Sequence, residues 1–335
     1  MNGEPCLVAP ARVARSPARQ RWIERVAPAA LRVFAVCSRR VLRGHGVGFA
    51  CALVGRLVAT GDSVIFQLSG GGTFSVPSGH RYWLKPLLVD RSYEPDLDRF
   101  LSQFLTPDDV FLDCGASLGL WSIAAAEIIE DPSDVVAIEP SRVTATRLRE
   151  NCQANGYSFT VVERALSDGD DDTIEFYASD ADPESATLVE GLSPSDAHRE
   201  TVSRISLTEL LSTNQPSTTG GLVVVKLDIE GVESSVLASV DPGAWQNVVL
   251  LYEDHGRDLT HQPTAFLLQH GLTAAFIADD GSLERIDSDA MQRLTELKLD
   301  ARRGYNLVAI DPSGRAAQRL VRLHPDALAP RTDSR

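Results

Sequence analysis

Long apolar runs are missing from this chain: nowhere do about eighteen apolar residues follow one another without a break, so no membrane span is expected. The most apolar stretch, residues 46–60, is short and interrupted by Gly55 and Arg56. Cysteine is scarce and odd in number. Cys6, Cys37, Cys51, Cys114 and Cys152 include no CxxC pair and no Cys/His set at zinc spacing, which argues against structural zinc and a disulfide framework. Cys114 and Cys152 occupy apolar positions and read as buried thiols. The N-terminus has no clean apolar core followed by a cleavage site, and with this cysteine usage a cytoplasmic protein is expected. Positive charge is short over the whole chain, whose net charge is -14, so the body of the protein is not expected to bind nucleic acid nonspecifically. The exception is the N-terminal arm, where Arg12, Arg15, Arg19, Arg21, Arg25, Arg32, Arg39, Arg40 and Arg43 are opposed only by Glu4 and Glu24. Such an arm suits an acidic partner or an anionic membrane surface, or is a solvated leader. Internal repeats are absent. The run Gly70–Gly72 has neither a following helix nor a P-loop lysine, and reads as a hairpin turn. The acidic stretch 168–172 lacks EF-hand spacing and reads as a solvated turn.

What is present centres on residues 110–120, VFLDCGASLGL. A short apolar run ends in Asp113, two glycines follow at Gly115 and Gly119, and an apolar stretch from Trp121 reads as a buried helix. Strand, tight turn and helix make the first crossover of a nucleotide-binding α/β domain. Gly115 permits the turn and a close backbone approach, and Gly119 permits close packing of helix on strand. A dinucleotide site presents glycine where Asp113 stands, so that a pyrophosphate can rest on the helix N-terminus. A carboxylate there repels phosphate and suits a ligand with a cationic amine, and S-adenosylmethionine is such a ligand. Glu139 ends the next strand, about twenty residues past the turn, the usual separation for a carboxylate that binds ribose hydroxyls.

From about residue 96 to 311 strands alternate with helical stretches, the pattern of one α/β domain. Upstream, a helical signal covers 20–36, two strands flank the glycine turn at 63–76, and a helix starts at Pro95 with Leu97, Phe100, Leu101 and Phe104 on one face. Ala165 follows the third strand and would lie near an adenine. Residues 180–200 are polar and irregular, the best candidate for a mobile loop over the substrate. The strand 220–228 delivers Lys226, Asp228, Glu230 and Glu233 to the C-terminal edge of the sheet, and the strand 247–253 ends in Glu253, Asp254 and His255. Residues 315–335 read as a basic tail with a turn or two of helix.

The segments VFLDCGASLG, AIEP, VVERALSD and above all VVVKLDIEGVE, with Tyr93-Glu94-Pro95 and Asn306, resemble the FkbM family of S-adenosylmethionine-dependent methyltransferases over residues 93–310. The resemblance implies a Rossmann-like class I methyltransferase fold: a mostly parallel seven-stranded sheet with a reversed last strand. It divides the chain into an accessory region with a β-hairpin (1–92), the methyltransferase domain (93–312) and the tail (313–335). It further implies O-methylation of a hydroxyl on a sugar or natural product, with cofactor contacts at Glu94, Asp113, Gly115, Ala116, Ser117, Gly119, Glu139, Ala165 and Asp228. Ser117 stands where the family often has Asn, a change that bears on a hydrogen bond to the cofactor's methionine end.

Such an enzyme needs a nucleophile aligned behind an activated methyl group and a group that accepts a proton. His255 is the candidate base; its alternative is an exposed loop histidine. Asp228 and Glu230 would act as base or orient the acceptor, or instead hold the Gly231 turn. No metal site is expected, although Asp228 with Glu253 or Asp254 is an alternative magnesium site. Two other functions compete: a cofactor-binding partner protein without catalysis in a biosynthetic assembly, and a dehydrogenase. The intact Asp113, Glu139 and 226–233 set argues against the first, and the charge of Asp113 against the second.

Overall fold

A computed structural model describes residues 9–10, 27–41, 46–59, 61–169, 171–179, 186–193, 195–229, 231–254, 260–278, 280–286, 291, 294–296 and 306–325. A two-residue strand, β1 (Ala9–Pro10), is followed by helices α1 (Ala27–Val41) and α2 (Val47–Val58), the hairpin β2 (Ser63–Gln67) and β3 (Thr73–Pro77), and α3 (Arg81–Lys85). A π-helical turn, Pro86–Asp90, leads to α4 (Pro95–Phe104), β4 (Val110–Cys114), α5 (Leu120–Ala126), β5 (Val135–Ile138), α6 (Arg142–Ala154) and β6 (Thr160–Val162). Strands β7 (Ala165–Leu166), β8 (Thr173–Ala178) and β9 (His198–Ile205) precede α7 (Leu207–Thr213), β10 (Val223–Leu227), α8 (Glu233–Ala238) and β11 (Val248–Glu253). The chain closes through α9 (Gln262–Gln269), β12 (Thr273–Ile277), β13 (Leu283–Ile286), β14 (Asn306–Ile310) and α10 (Arg315–Leu323).

The central sheet has eight strands in the order β13-β12-β14-β11-β10-β4-β5-β6. β4, β5, β6, β10 and β11 run parallel, and β14 is inserted antiparallel between β11 and β12. The expected count of seven is therefore exceeded by one, because β13 folds back on β12 as an antiparallel edge strand. Side chains alternate across each strand, and they feed two apolar layers. Phe111, Val224, Val249 and Val308 face the layer shared with α4, α5 and the accessory helices. Leu112, Val225, Leu250 and Leu307 face the layer of α7, α8 and α9. Among the described residues no helix is long and apolar enough to cross a membrane.

The accessory region is built onto the first layer. Its helix α2 comes from the apolar run 47–58, which carries no side-chain cap and gave no helix signal by itself. Gly55 admits the neighbouring chain: a Cβ there would lie 2.5 Å from Ser78 O and 2.6 Å from Leu84 Cδ1. The hairpin is fastened to α6 by two amides. Asn151 Oδ1 accepts from Ser75 N (3.0 Å) and its Nδ2 donates to Ser75 O and Leu118 O. Asn155 Oδ1 accepts from Thr73 N (2.6 Å) and its Nδ2 donates to Thr73 O.

At the opposite end, α10 is clamped beneath the sheet. The Arg319 guanidinium grips the fully buried Asp109 with both terminal nitrogens, while Asp109 also accepts from Thr106 N and Leu222 N (both 2.8 Å). Residues 315–323 thus form a packed helix over α4 rather than a turn or two, with Ala316, Ala317 and Leu320 buried. Residues 198–205, expected within or beside an irregular loop, pair as β9 with β8 and β7.

Candidate functional site

The parallel strands end on one edge, where β4, β5 and β10 release their turns into a cleft. Gly115 has φ 83°, and its N–H and that of Ala116 both donate to Ile138 O at 3.0 Å. A Cβ on Gly115 would stand 1.8 Å from Asp228 O, so only glycine lets the β4 turn pass the end of β10. Ser117 is left-handed (φ 48°), a conformation that Asn adopts more readily than Ser. Hydrogen bonds to Glu139 and Trp83 hold it there. Its N–H donates to Glu139 Oε2 (3.0 Å), and its Oγ accepts from Trp83 Nε1 (3.3 Å). Glu139 Oε1 accepts from Ser141 N (2.9 Å), and the Ser141 hydroxyl in turn caps α6. The carboxylate is buried, lines the cleft and clasps both neighbouring turns.

Lys226 carries the site's charge. Its ammonium, on the buried end of β10, donates to Asp228 Oδ2 at 3.1 Å. Burial works against the charged form, yet Asp228, then Asp113, Glu94 and Glu253, hold its pKa above the ordinary lysine value. Four carboxylates thus surround one ammonium. Burial raises Asp113, against the pull of Lys226 and of the Ser122 hydroxyl that donates to it at 2.6 Å. Glu94 is also raised, first by burial and then by Glu253. Such a surplus of carboxylate is complementary to a cationic ligand.

Two walls enclose the cleft. One is aromatic and comes from the accessory region and its junction: Tyr82, Trp83 and Tyr93, with Trp121 from α5. Trp83 and Tyr93 rings lie 4.5 Å apart, the Tyr82 and Tyr93 hydroxyls share a 2.8 Å hydrogen bond, and Trp121 Nε1 donates to Glu94 Oε2 at 3.1 Å. The other wall is the small sheet β7-β9-β8 and its flank, through Ala165, Leu166, Phe176, Ala186 and Leu188. Ala186 and Leu188 bring residues 186–193 against the cleft, and Thr187 bridges to Tyr177.

Of the residues singled out in the sequence, Gly115, Ala116, Ser117, Glu139, Ala165 and Asp228 line this cleft together. Asp113 does not: it is fully buried beneath the floor, turned toward Ser122 of α5. Gly119 caps α5 with φ 89°, and a Cβ there would strike Leu148 Cδ1 at 2.2 Å, so it acts in packing. Glu94 stands behind Trp121. Asp254 turns inward, accepting from Thr264 Oγ1 at 2.5 Å and lying 3.5 Å from His261 Nδ1. Glu233 holds the Gly231 turn, the task considered for Asp228 and Glu230: its carboxylate accepts from Ile229 N and Gly231 N. Glu230 and His255 lie outside the described residues. Among the described residues no cluster of His, Cys, Asp and Glu is arranged to hold a metal ion. Sequence reasoning missed Trp83 as a site residue; the one local signal was the adjacent pair Tyr82-Trp83 preceding Tyr93.

No curated protein sequence matches the chain. Among solved structures, the chain is similar to precorrin-6y C5,15-methyltransferase from Geobacter metallireducens GS-15, at 14% identity over 65% of this chain and 87% of that one, with a TM-score of 0.36. It is also similar to a SAM-dependent methyltransferase from Agrobacterium tumefaciens (10% identity, 76% and 72% covered, TM-score 0.36). A third is ribosomal protein L11 methylase from Lactobacillus delbrueckii subsp. bulgaricus (12%, 64% and 76%, TM-score 0.32). Residues 113–278, from the floor carboxylate to the end of β12, match the methyltransferase FkbM domain. Residues 113–278 are therefore an FkbM methyltransferase domain, and the cofactor of such a domain is S-adenosylmethionine.

Proposed function

We propose that the protein is an O-methyltransferase acting on a hydroxyl of a sugar or natural-product acceptor in the cytoplasm. The observation that carries this reading is the cleft itself. Glu139 stands in it at the end of β5 and Asp228 at the end of β10, with an aromatic wall beside them. Hydroxyls are donors that carboxylates accept well, and aromatic faces suit the apolar faces of ring compounds.

The donor set fits S-adenosylmethionine. Glu139 accepts from Ser117 N and Ser141 N, and a carboxylate is an acceptor suited to ribose hydroxyls. The surplus of carboxylate around Lys226 suits a ligand bearing an amine and a sulfonium. When bound, the cofactor supplies a methyl group already activated on sulfur. Ala165, Leu166 and Phe176 would pack on the adenine, and the 115–117 turn would hold the methionine end. Asp113 would act through Ser122 and Lys226 rather than by contact. Asp228 and Glu230 would orient the acceptor hydroxyl, and His255, two residues beyond the end of β11, would take its proton. Orientation then accounts for most of the acceleration.

The test screens hydroxylated sugars and polyketides for methyl transfer, then compares parent with His255→Ala. Turnover is expected to fall by roughly a hundredfold with cofactor affinity unchanged. Parent-level turnover across the pH range of a histidine base would remove His255 from the mechanism.

A further inference from the structure

The chain's charge is divided unevenly along the sequence. Between Glu24 and Asp62 there is no acidic residue, while Arg25, Arg32, Arg39, Arg40, Arg43 and Arg56 fall in that interval of a protein whose net charge is -14. The same interval forms α1 and α2, which pack on each other and join α1 to the π-helical turn and α2 to α3. Both helices keep large apolar side chains in solvent. On α1 these are Val33 (65% exposed), Phe34 and Val36; on α2 they are Phe49 (60%), Leu53 (52%) and Leu57 (56%), spaced one turn apart. Val33 and Val36 share a face at i, i+3, and Phe49 and Leu53 at i, i+4. Cations border them: Arg32 and Arg56 are exposed, and the exposed Arg81 sets its guanidinium 5.6 Å from the centre of the Phe49 ring.

We propose that α1 and α2 dock the protein on an anionic lipid surface, lying on the membrane and not across it. Charge complementarity selects this occupant. Exposed apolar side chains bordered by arginine, with no acid in the interval, match the interfacial boundary of a bilayer that carries negative headgroups. The length agrees: α2 has 12 residues, about 18 Å of helix, well short of a hydrocarbon core. A second copy fits worse, since a two-fold contact through this face sets its arginines against their own counterparts. The cleft's aromatic wall begins in α3, directly against α2, so docking brings the mouth of the cleft close to the headgroups.

The experiment is vesicle co-sedimentation of the full chain. Vesicles of equal parts phosphatidylcholine and phosphatidylglycerol are compared with phosphatidylcholine alone, at low and at high salt. Sedimentation with the anionic vesicles only, reduced by salt screening, is the expected result. Val33→Asp with Leu53→Asp is expected to weaken partitioning at least about tenfold. S-adenosylmethionine binding by calorimetry should stay at the parent value, showing that the variant is folded. A second variant, Arg56→Gln, should weaken binding to anionic vesicles without touching the apolar face. The proposal is overturned if neither vesicle carries the protein down, if both do so equally, or if the folded aspartate variant binds as the parent does. It is also overturned if the parent is a dimer in solution that the aspartate variant converts to a monomer.

Discussion

Replacing Glu139 by alanine separates two jobs that one carboxylate performs. Without ligand, each of its oxygens accepts a backbone N–H, from Ser117 at 3.0 Å and from Ser141 at 2.9 Å. With cofactor, it is assigned the ribose hydroxyls. A hydrogen bond to a charged group contributes about 1.5–3 kcal/mol. Losing the ribose contacts is therefore expected to weaken S-adenosylmethionine binding by roughly ten- to a hundredfold. Losing the backbone contacts releases Ser117 from its left-handed conformation, and thermal stability should fall as well. Glu139→Gln keeps the volume and one acceptor oxygen, but its amide NH2 must then face a backbone N–H, so intermediate affinity is expected. Calorimetric titration with S-adenosylmethionine and with its demethylated product measures the first effect, and a thermal melt measures the second. A variant that melts lower yet binds cofactor as the parent does would refute the ribose assignment and leave Glu139 as a clasp between two turns.

Lys226→Met removes the ammonium on which Glu94, Asp113, Asp228 and Glu253 act. Stripping a buried partner from a charge pair costs about 3–5 kcal/mol, which a lowered denaturant midpoint would register; an unchanged midpoint would show that the carboxylates do not depend on it. Asn151→Ala strands the Ser75 and Leu118 backbone groups that its amide serves. A loss of about 2–3 kcal/mol is expected, with faster proteolysis in the hairpin, and parent-like resistance would argue against the amide as a fastener. Asp113 has a raised pKa in the folded chain, so the native state holds its proton after the unfolded chain has released its own. Its contribution to stability is then full below the ordinary carboxylate value and declines as pH rises toward the folded value. Asp113→Asn should remove that part of the slope between about pH 4 and the folded value; identical slopes for parent and variant in denaturant titrations would contradict the burial argument.

Much of the fold could be read from local pattern. Val110–Leu112 are apolar throughout, Gly115 and Gly119 both have positive φ, and Glu139 closes β5 where a ribose-binding acid was expected. These are short-range demands that the chain meets residue by residue. Long-range demands left weaker marks. The aromatic wall depends on Gly55 letting α2 approach Leu84 and on Trp83 reaching Ser117, contacts between segments far apart in sequence. Residues 198–205 carry almost no buried side chain, so their strand has no apolar face to announce it. Asp113 ends the apolar run of β4, a position that on sequence alone faces the ligand, yet it is fully buried and bonded to Ser122 of α5.

The two asparagines of α6 also bear on how the molecule behaves among other copies of itself. β3 is the last strand of its small sheet, and its outward N–H and C=O groups would offer a template to any extended chain that met them. Asn151 and Asn155 occupy those groups at Ser75 and Thr73 with side-chain amides that imitate a neighbouring strand. The hairpin therefore ends in a helix surface rather than an open β-edge. Fibrillar assembly seeded at β3 must first displace both amides, and so becomes a consequence of partial unfolding instead of simple encounter.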